Sequence, residues 1–158
     1  MRWTDYDSTV CSVARTSDIV GDRWTLLVLR DLVNGIRRFD DLARHLGVAR
    51  DLLARRLTRL VEAGVVERRP YQEPGRRTRY EYGVTAAGLE LRPVLIALAQ
   101  WGDRYLSGPA GPPTEIRHDG CGATVHLAVE CTAGHRIEDG AELRMVALPA
   151  ARRIVPAS

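Results

Sequence analysis

Twelve arginines fall between positions 37 and 79, against six aspartates and glutamates. Elsewhere 11 arginines face 14 acids, so a chain of net charge only +3 concentrates +6 in one segment. Clustered guanidinium groups suit one chemistry above others, because each is a planar, permanently charged fork that donates in pairs to phosphate oxygens or to guanine O6 and N7. All 23 basic residues are arginine, which also fits a GC-rich coding bias; the clustering, rather than the abundance, is what points to nucleic acid. Two smaller groups have reactive types. Cys11 stands ahead of a short helical pattern with Arg15 one turn on, where a helix N-terminus and a cation favour the thiolate, against the alternative of a packed small hydrophobe. In the tail, His118 with Cys121 and Cys131 with His135 form two pairs that could give zinc an N2S2 shell, against a small subdomain held by packing alone. His126, on a β-like run, is expected on a strand surface.

The arginines need elements to aim them. Phe39 and Asp40 are expected to open a helix, Asp40 as the cap and Phe39 as a hydrophobic staple, with Leu42, Ala43 and Leu46 on its inner face and Gly47 ending it. A second helix follows over about 50–63 and stops at Gly64, with Leu53, Leu57 and Leu60 at helical spacing. Its outer face then carries Asp51, Ala54, Arg55, Thr58 and Glu62, flanked by Arg50, Arg56 and Arg59. Val65 and Val66 begin a strand, residues 72–77 turn through Pro74 and Gly75, and a return strand sets Tyr80, Tyr82 and Val84 on one face. The pattern predicts a winged helix-turn-helix, an α+β fold whose second helix enters a major groove of double-stranded DNA. Arg50 and Arg55 are expected at bases or phosphates, with Thr58 beside them. Asp51 either accepts from a cytosine amino group or pairs with Arg55 at i,i+4. Arg37, Arg38 and Arg59 are candidate phosphate contacts, and Arg76, Arg77 and Arg79 would carry the wing to an adjacent minor groove or backbone.

Around this unit, Val13, Ala14 and Val20 suggest a short helix ending near Gly21. Asp22 caps a second whose apolar residues, Trp24, Leu26, Leu27, Val28 and Leu32, are dense enough for burial nearly all round. Thr85 caps a longer helix over about 86–106, with Pro93 as a kink or early-turn residue. Along it Leu91, Leu95, Leu98, Trp101 and Tyr105 form a seam, expected to be a dimer interface shared with the N-terminal helix. A two-fold dimer would place two recognition helices about one DNA turn, ~34 Å, apart. The expected organisation is a DNA-binding and dimerisation domain over 1–106, a linker over 107–113 rich in Gly and Pro, and a small β-rich C-terminal extension over 114–158 with β-like runs at 123–129 and 143–148.

These residues together resemble the HxlR-type transcription regulators, relatives of the MarR group. The similarity covers about residues 11–105 and rests on Trp24, Arg30, Gly35, Arg38, Phe39, Leu42, Leu53, Arg56, Leu57, Leu60, Gly64, Tyr80, Thr85, Gly88, Leu91 and Trp101 at family spacing. The resemblance implies a homodimeric winged-helix DNA-binding regulator without enzymatic activity, most simply a repressor released by a small-molecule or redox signal. Some members sense oxidants through a cysteine at the place of Cys11. Ala49 departs from the family, which usually has Ser at that helix cap, at a cost of about 1 kcal/mol. Gly134 stands where an appended ribbon of the family would have a second cysteine, and His135 comes one place late, so packing is preferred over zinc for the tail and no cofactor is required.

Other function classes fit less well. No G-x-S-x-G, P-loop or G-x-G-x-x-G after a strand is present, and the four histidines, His45 included, form no catalytic pattern. The rival is a small-molecule-binding, sequestering protein that uses the same fold without DNA. The acidic start of the chain and the lack of an apolar run of roughly 18 residues point away from a secretory signal and a membrane span, and so to the cytoplasm with reduced cysteines.

Overall fold

The computed structural model describes residues 2–72, 74–75, 77–138 and 140–154. Ser8–Arg92 form one compact unit, and the remaining described residues form a second.

In the first unit, α1 (Ser12–Val20) is followed by α2 (Arg23–Val33), α3 (Phe39–Leu46) and α4 (Arg50–Glu62), then by strands β1 (Val66–Tyr71) and β2 (Arg79–Val84) and the short α5 (Ala86–Leu89). Asp22 starts α2 as expected, its carboxylate accepting from the backbone N–H groups of Trp24 and Thr25 at 3.0 and 3.2 Å. Gly47 closes α3 at φ 61° and Gly64 follows α4 at φ 70°, left-handed values that a Cβ would strain. Between those stops Leu53, Leu57 and Leu60 are buried together with Leu42 of α3 and Val28, Leu29 and Leu32 of α2. β1 and β2 pair antiparallel from Val66 opposite Val84 to Tyr71 opposite Arg79. A bridge between Arg38 and Glu81, with the Tyr82 N–H donating to the Arg37 carbonyl at 2.9 Å, fastens the entry to α3 onto this ribbon. The architecture is the expected winged helix-turn-helix.

Three local expectations are corrected. Arg38 is the residue preceding α3 and Phe39 its first member, so Asp40 lies one position inside the helix and makes no cap; its carboxylate turns to arginines instead. Helix α2 is not buried all round: Trp24, Leu26 and Leu27 are half-buried, while Asp31 is 1% exposed. That carboxylate is satisfied on both oxygens, by Arg30 Nε at 2.8 Å and His45 Nδ1 at 2.7 Å, and so ties α2 to α3. The helix expected over 86–106 is two helices, α5 and then α6 (Arg92–Leu106), parted at residues 90–91. Pro93 explains the break, since it has no N–H for the Leu89 carbonyl and fits only the first turn of a helix.

The second unit contains α6 and the tail. The tail forms less strand than its alternation suggests: β3 (Val129–Glu130) pairs with β4 (Arg136–Ile137), and Arg117 bridges Thr124. No strand forms over 143–148, where Leu143, Met145, Val146 and Leu148 are each more than half exposed. An alternating run becomes a strand only when a second strand meets its backbone N–H and C=O groups, and among the described residues none pairs with this run. His126 is exposed but outside any strand. Gln100 of α6 holds the tail by its amide, donating to the Val125 carbonyl at 3.2 Å and accepting from the Leu127 N–H at 3.0 Å. No helix among the described residues is long and apolar enough to cross a membrane.

Thr85 and Gly88 join wing to α5 in very little space. The Thr85 hydroxyl accepts from the Gly88 N–H at 3.1 Å, and a Cβ on Gly88 would sit 2.2 Å from the Val65 carbonyl oxygen. Since the obstacle is backbone, Gly88→Ala should lower stability by about 2 kcal/mol, a cost of the size that overpacking incurs, read from the midpoint of urea unfolding at constant slope.

Candidate nucleic-acid interface

Burial of the leucine stripe turns the opposite side of α4 to solvent. Arg50, Asp51, Ala54, Arg55, Thr58, Arg59 and Glu62 are all exposed. The arginines do not project freely. Arg55 Nη1 donates to Asp51 at 3.0 Å, the i,i+4 pairing expected for this couple. Arg50 Nη1 donates to Asp40 at 2.7 Å and its guanidinium lies over the Phe39 ring at 4.8 Å. Arg59 donates to the Asp18 carbonyl, which commits one edge of that candidate phosphate contact to α1.

Arg56 behaves differently. Its Nη2 donates to Asp22 at 3.0 Å and its Nε lies 2.9 Å from the second carboxylate oxygen, with the side chain 25% exposed. The sequence pattern set it on the flank of the reading face; the structure makes it a strut between α4 and the cap of α2. Nothing local signals the pair, since its members are 34 residues apart.

The wing supplies the other cations. Arg79 Nη1 lies 3.7 Å from Asp40, Arg38 stacks over Tyr71 at 5.0 Å, and Arg68 covers Tyr80 at 3.8 Å. Arg37 and Arg77 are exposed, while Arg76 lies outside the described residues. A cleft of about 490 Å³ opens where these elements meet, lined by Arg38, Phe39, Asp40, Arg50, Arg79 and Tyr80 among others. The hydrogen bond from Arg50 holds the Asp40 carboxyl below the usual carboxylate range, and the charges of Arg50, Arg79 and Arg44 act in the same direction. Asp40 is thus an anion inside a cationic cleft, a role its sequence position does not announce.

A model of the HxlR-like helix-turn-helix family matches residues 19–109. The chain belongs to that family. This HxlR-like chain is 46% identical over 121 residues to Rv3095 of Mycobacterium tuberculosis, an uncharacterized HTH-type transcriptional regulator, covering 77% of this chain and 75% of the relative. It is 37% identical over 98 residues to a Synechocystis regulator of the same description, sll1512, across 61% of this chain and 71% of that one. Among solved structures it resembles PA1607, described as a candidate transcription factor, with a TM-score of 0.78 at 33% identity over 87% of this chain and 94% of that one. It also resembles the redox regulator HypR in its reduced form, with a TM-score of 0.53 at 26% identity over 60% of this chain and 94% of that one. The protein is therefore a transcription regulator of the helix-turn-helix type.

The remaining candidate residues are scattered. Cys11 is the half-buried residue preceding α1. His118 Nδ1 lies 3.3 Å from Cys121 Sγ. Cys131 heads a separate tight turn, its N–H donating to the His135 carbonyl at 3.0 Å, and backbone N–H groups of Ala133 and then His135 lower its thiol pKa. Among the described residues no three His, Cys, Asp or Glu side chains are placed to hold a metal, so the two pairs do not converge on a four-ligand shell. Because Asp22 both caps α2 and receives Arg56, Asp22→Ala should cost about 1–2 kcal/mol, at the upper end for a lost cap. Thermal melts followed by circular dichroism would show it; an unchanged midpoint would mean the strut contributes nothing.

Proposed function

We propose that this HxlR-like regulator is a homodimer that binds double-stranded DNA sequence-specifically and represses transcription until a small-molecule or redox signal releases it. The observation that carries the reading is the exposed face of α4, where Arg55 and Thr58 stand opposite a fully buried leucine stripe beside a cationic wing. A helix is held rigidly by its buried side, and its free side can then follow a major groove. Arg55 is the residue to reach base edges, with Asp51 fixing its rotamer. Arg37 and Arg77 supply phosphate contacts.

Dimerisation is assigned to α6. Leu98, Trp101 and Tyr105 are 49%, 58% and 62% exposed in the single chain, and the two aromatic rings lie 5.3 Å apart. Leu91 and Leu95 extend the same seam as half-buried residues. A second copy laid along this face would remove both rings from water, and aromatic side chains bury about 150–250 Å² each. For the releasing signal, Cys11 is the candidate thiol, supported by the likeness to HypR, a redox regulator.

The deciding experiment is binding of the purified protein to its own upstream intergenic DNA against an unrelated duplex of equal length, across a salt series. Preference for the upstream DNA that weakens steeply with salt is expected, since each phosphate contact releases counterions. No preference at any salt would remove the sequence-specific reading, and no binding to either duplex would remove DNA binding altogether. Arg55→Ala should lower upstream-DNA affinity by about 1–3 kcal/mol, roughly 5- to 150-fold, with the dimer intact. Trp101→Glu should convert the protein to monomer in light scattering; a Trp101→Glu dimer would place the interface elsewhere.

A further inference from the structure

Two carboxylates, Asp40 and Asp41, line the cleft among its cations; Asp41 pairs with Arg44 of its own helix, and Asp40 faces the next helix and the wing. Asp40 Oδ1 accepts from Arg50 Nη1 at 2.7 Å, and its Oδ2 lies 3.7 Å from Arg79 Nη1. Arg50 is the first residue of α4 and Arg79 the first of β2, paired with Tyr71 next to the hairpin turn, so a single acid links the start of the recognition helix to the outer end of the wing strands. The three side chains are 54%, 68% and 52% exposed, for Asp40, Arg50 and Arg79 respectively. They are therefore open to a ligand from solvent, beside the face of α4 that the DNA-binding reading turns to the duplex. The helix itself does not require this acid, because Asp41 also occupies the first turn of α3. An acid at a phosphate-binding surface repels the ligand, and its presence calls for a function that outweighs the repulsion.

We propose that Asp40 is a specificity-determining residue of the DNA interface: its carboxylate takes the place of a phosphate, holding Arg50 by a hydrogen bond and Arg79 by a longer ion-pair contact, and cancels one of their two positive charges against non-specific contact. This rests on the DNA-binding reading above. Binding to arbitrary sequence is driven by cation–phosphate contacts and the counterions they release. A guanidinium already neutralised by a carboxylate neutralises less phosphate charge and so releases fewer of the DNA's condensed counterions, adding less to that term. Base recognition depends on direction instead. A guanidinium has five N–H donors in a rigid fork, so one edge held by Asp40 leaves the others aimed at a fixed place, as pairing to base-edge acceptors requires. The Phe39 ring beneath Arg50 narrows its freedom further. Asp40 thus weakens binding to unmatched DNA more than binding to a matched site.

Asp51 neutralises Arg55 in the same manner at 3.0 Å, but both belong to one helix. Asp40, from α3, reaches both α4 and β2, so its removal frees the orientation of helix and wing arginines together.

The test measures wild type, Asp40→Asn and Asp40→Glu against an unrelated duplex and the chain's own upstream DNA across a salt series. Asp40→Asn keeps the shape and removes the charge; it should bind the unrelated duplex about tenfold more tightly at ~0.1 M salt and steepen its log–log salt slope by roughly one, since each added phosphate contact contributes about 0.9. Upstream-DNA affinity should rise less, so the ratio between the two falls several-fold. Asp40→Glu retains the charge and should stay close to wild type, and all three proteins should melt together. An Asp40→Asn protein with wild-type slope and ratio, or one that loses affinity for both duplexes in equal proportion, overturns the proposal and leaves the DNA-binding reading standing. A wild-type protein that binds neither duplex at any salt overturns both.

Discussion

The leucine stripe of α4 has only one place to go. Leu53, Leu57 and Leu60 are at most 1% exposed, packed with Leu42 and with Val28, Leu29 and Leu32 of α2. Burial of each such side chain stabilises by about 1.5–3 kcal/mol, which no surface interaction of this helix approaches. The stripe therefore fixes the rotation of α4 about its axis, and each residue that turns inward commits another to solvent. A slip of one position would swing the leucines by about 100° and present them to water. The left-handed glycines at 47 and 64 hold that register by ending the helices where they do. The exposure of Arg55 and Thr58 is a consequence of apolar packing on the far side.

Charge is distributed by the same packing. The four arginines of α4 find partners in four places: Asp40 in α3, Asp51 in their own helix, the Asp22 cap of α2 and the Asp18 carbonyl of α1. These contacts differ in what it costs to exchange them. The Arg56–Asp22 pair is largely withdrawn from solvent, so breaking it would strand a desolvated cation, and it serves the fold. The pairs of Arg50 and Arg55 are about two-thirds exposed, and such pairs are worth between 0 and about 1 kcal/mol. Their arginines can trade a carboxylate for a phosphate or a base at a smaller cost than Arg56 could. Burial thus separates the arginine that builds the unit from those able to meet a ligand, although all four stand within one short sequence.

Much of this was legible in the residues because its causes are local. Periodic leucines, glycines at helix ends, the Asp22 and Thr85 caps and the i,i+4 spacing of Asp51 and Arg55 all act within a turn or two of the chain. What was not legible depends on distant residues meeting. Asp22 pairs with Arg56 across 34 positions and Asp31 with His45 across 14, and so a helix cap in the first case and an acid inside a helix in the second become ties between helices. Asp40 was misread for the same reason: its local role as a cap was plausible, and its partners come from the next helix and the wing. The tail shows the opposite failure. Alternation over 143–148 is a local signal, but a strand needs a second strand, and sequence alternation does not provide one.

The second unit raises a different physical question, because its order does not come from a buried apolar core. Among the described residues, the fully buried hydrophobic side chains run from Val20 to Val66, within the first unit. The tail is held instead by directional bonds. The Gln100 amide grips residues 125 and 127, and Ile154 and Asp7 donate to the Asp5 and Arg152 carbonyls at 2.9 Å. Such hydrogen bonds contribute about 1 kcal/mol each, and water competes for them where they are exposed. The apolar surface still uncovered in this half of the chain lies partly on α6, the helix that carries Gln100. Covering Leu98, Trp101 and Tyr105 with a second copy would stabilise α6 by burial, and through Gln100 that stabilisation passes to the segment it holds. In the proposed dimer, association and ordering of the tail would be linked through one helix, with apolar burial on one face supporting the polar grip on another.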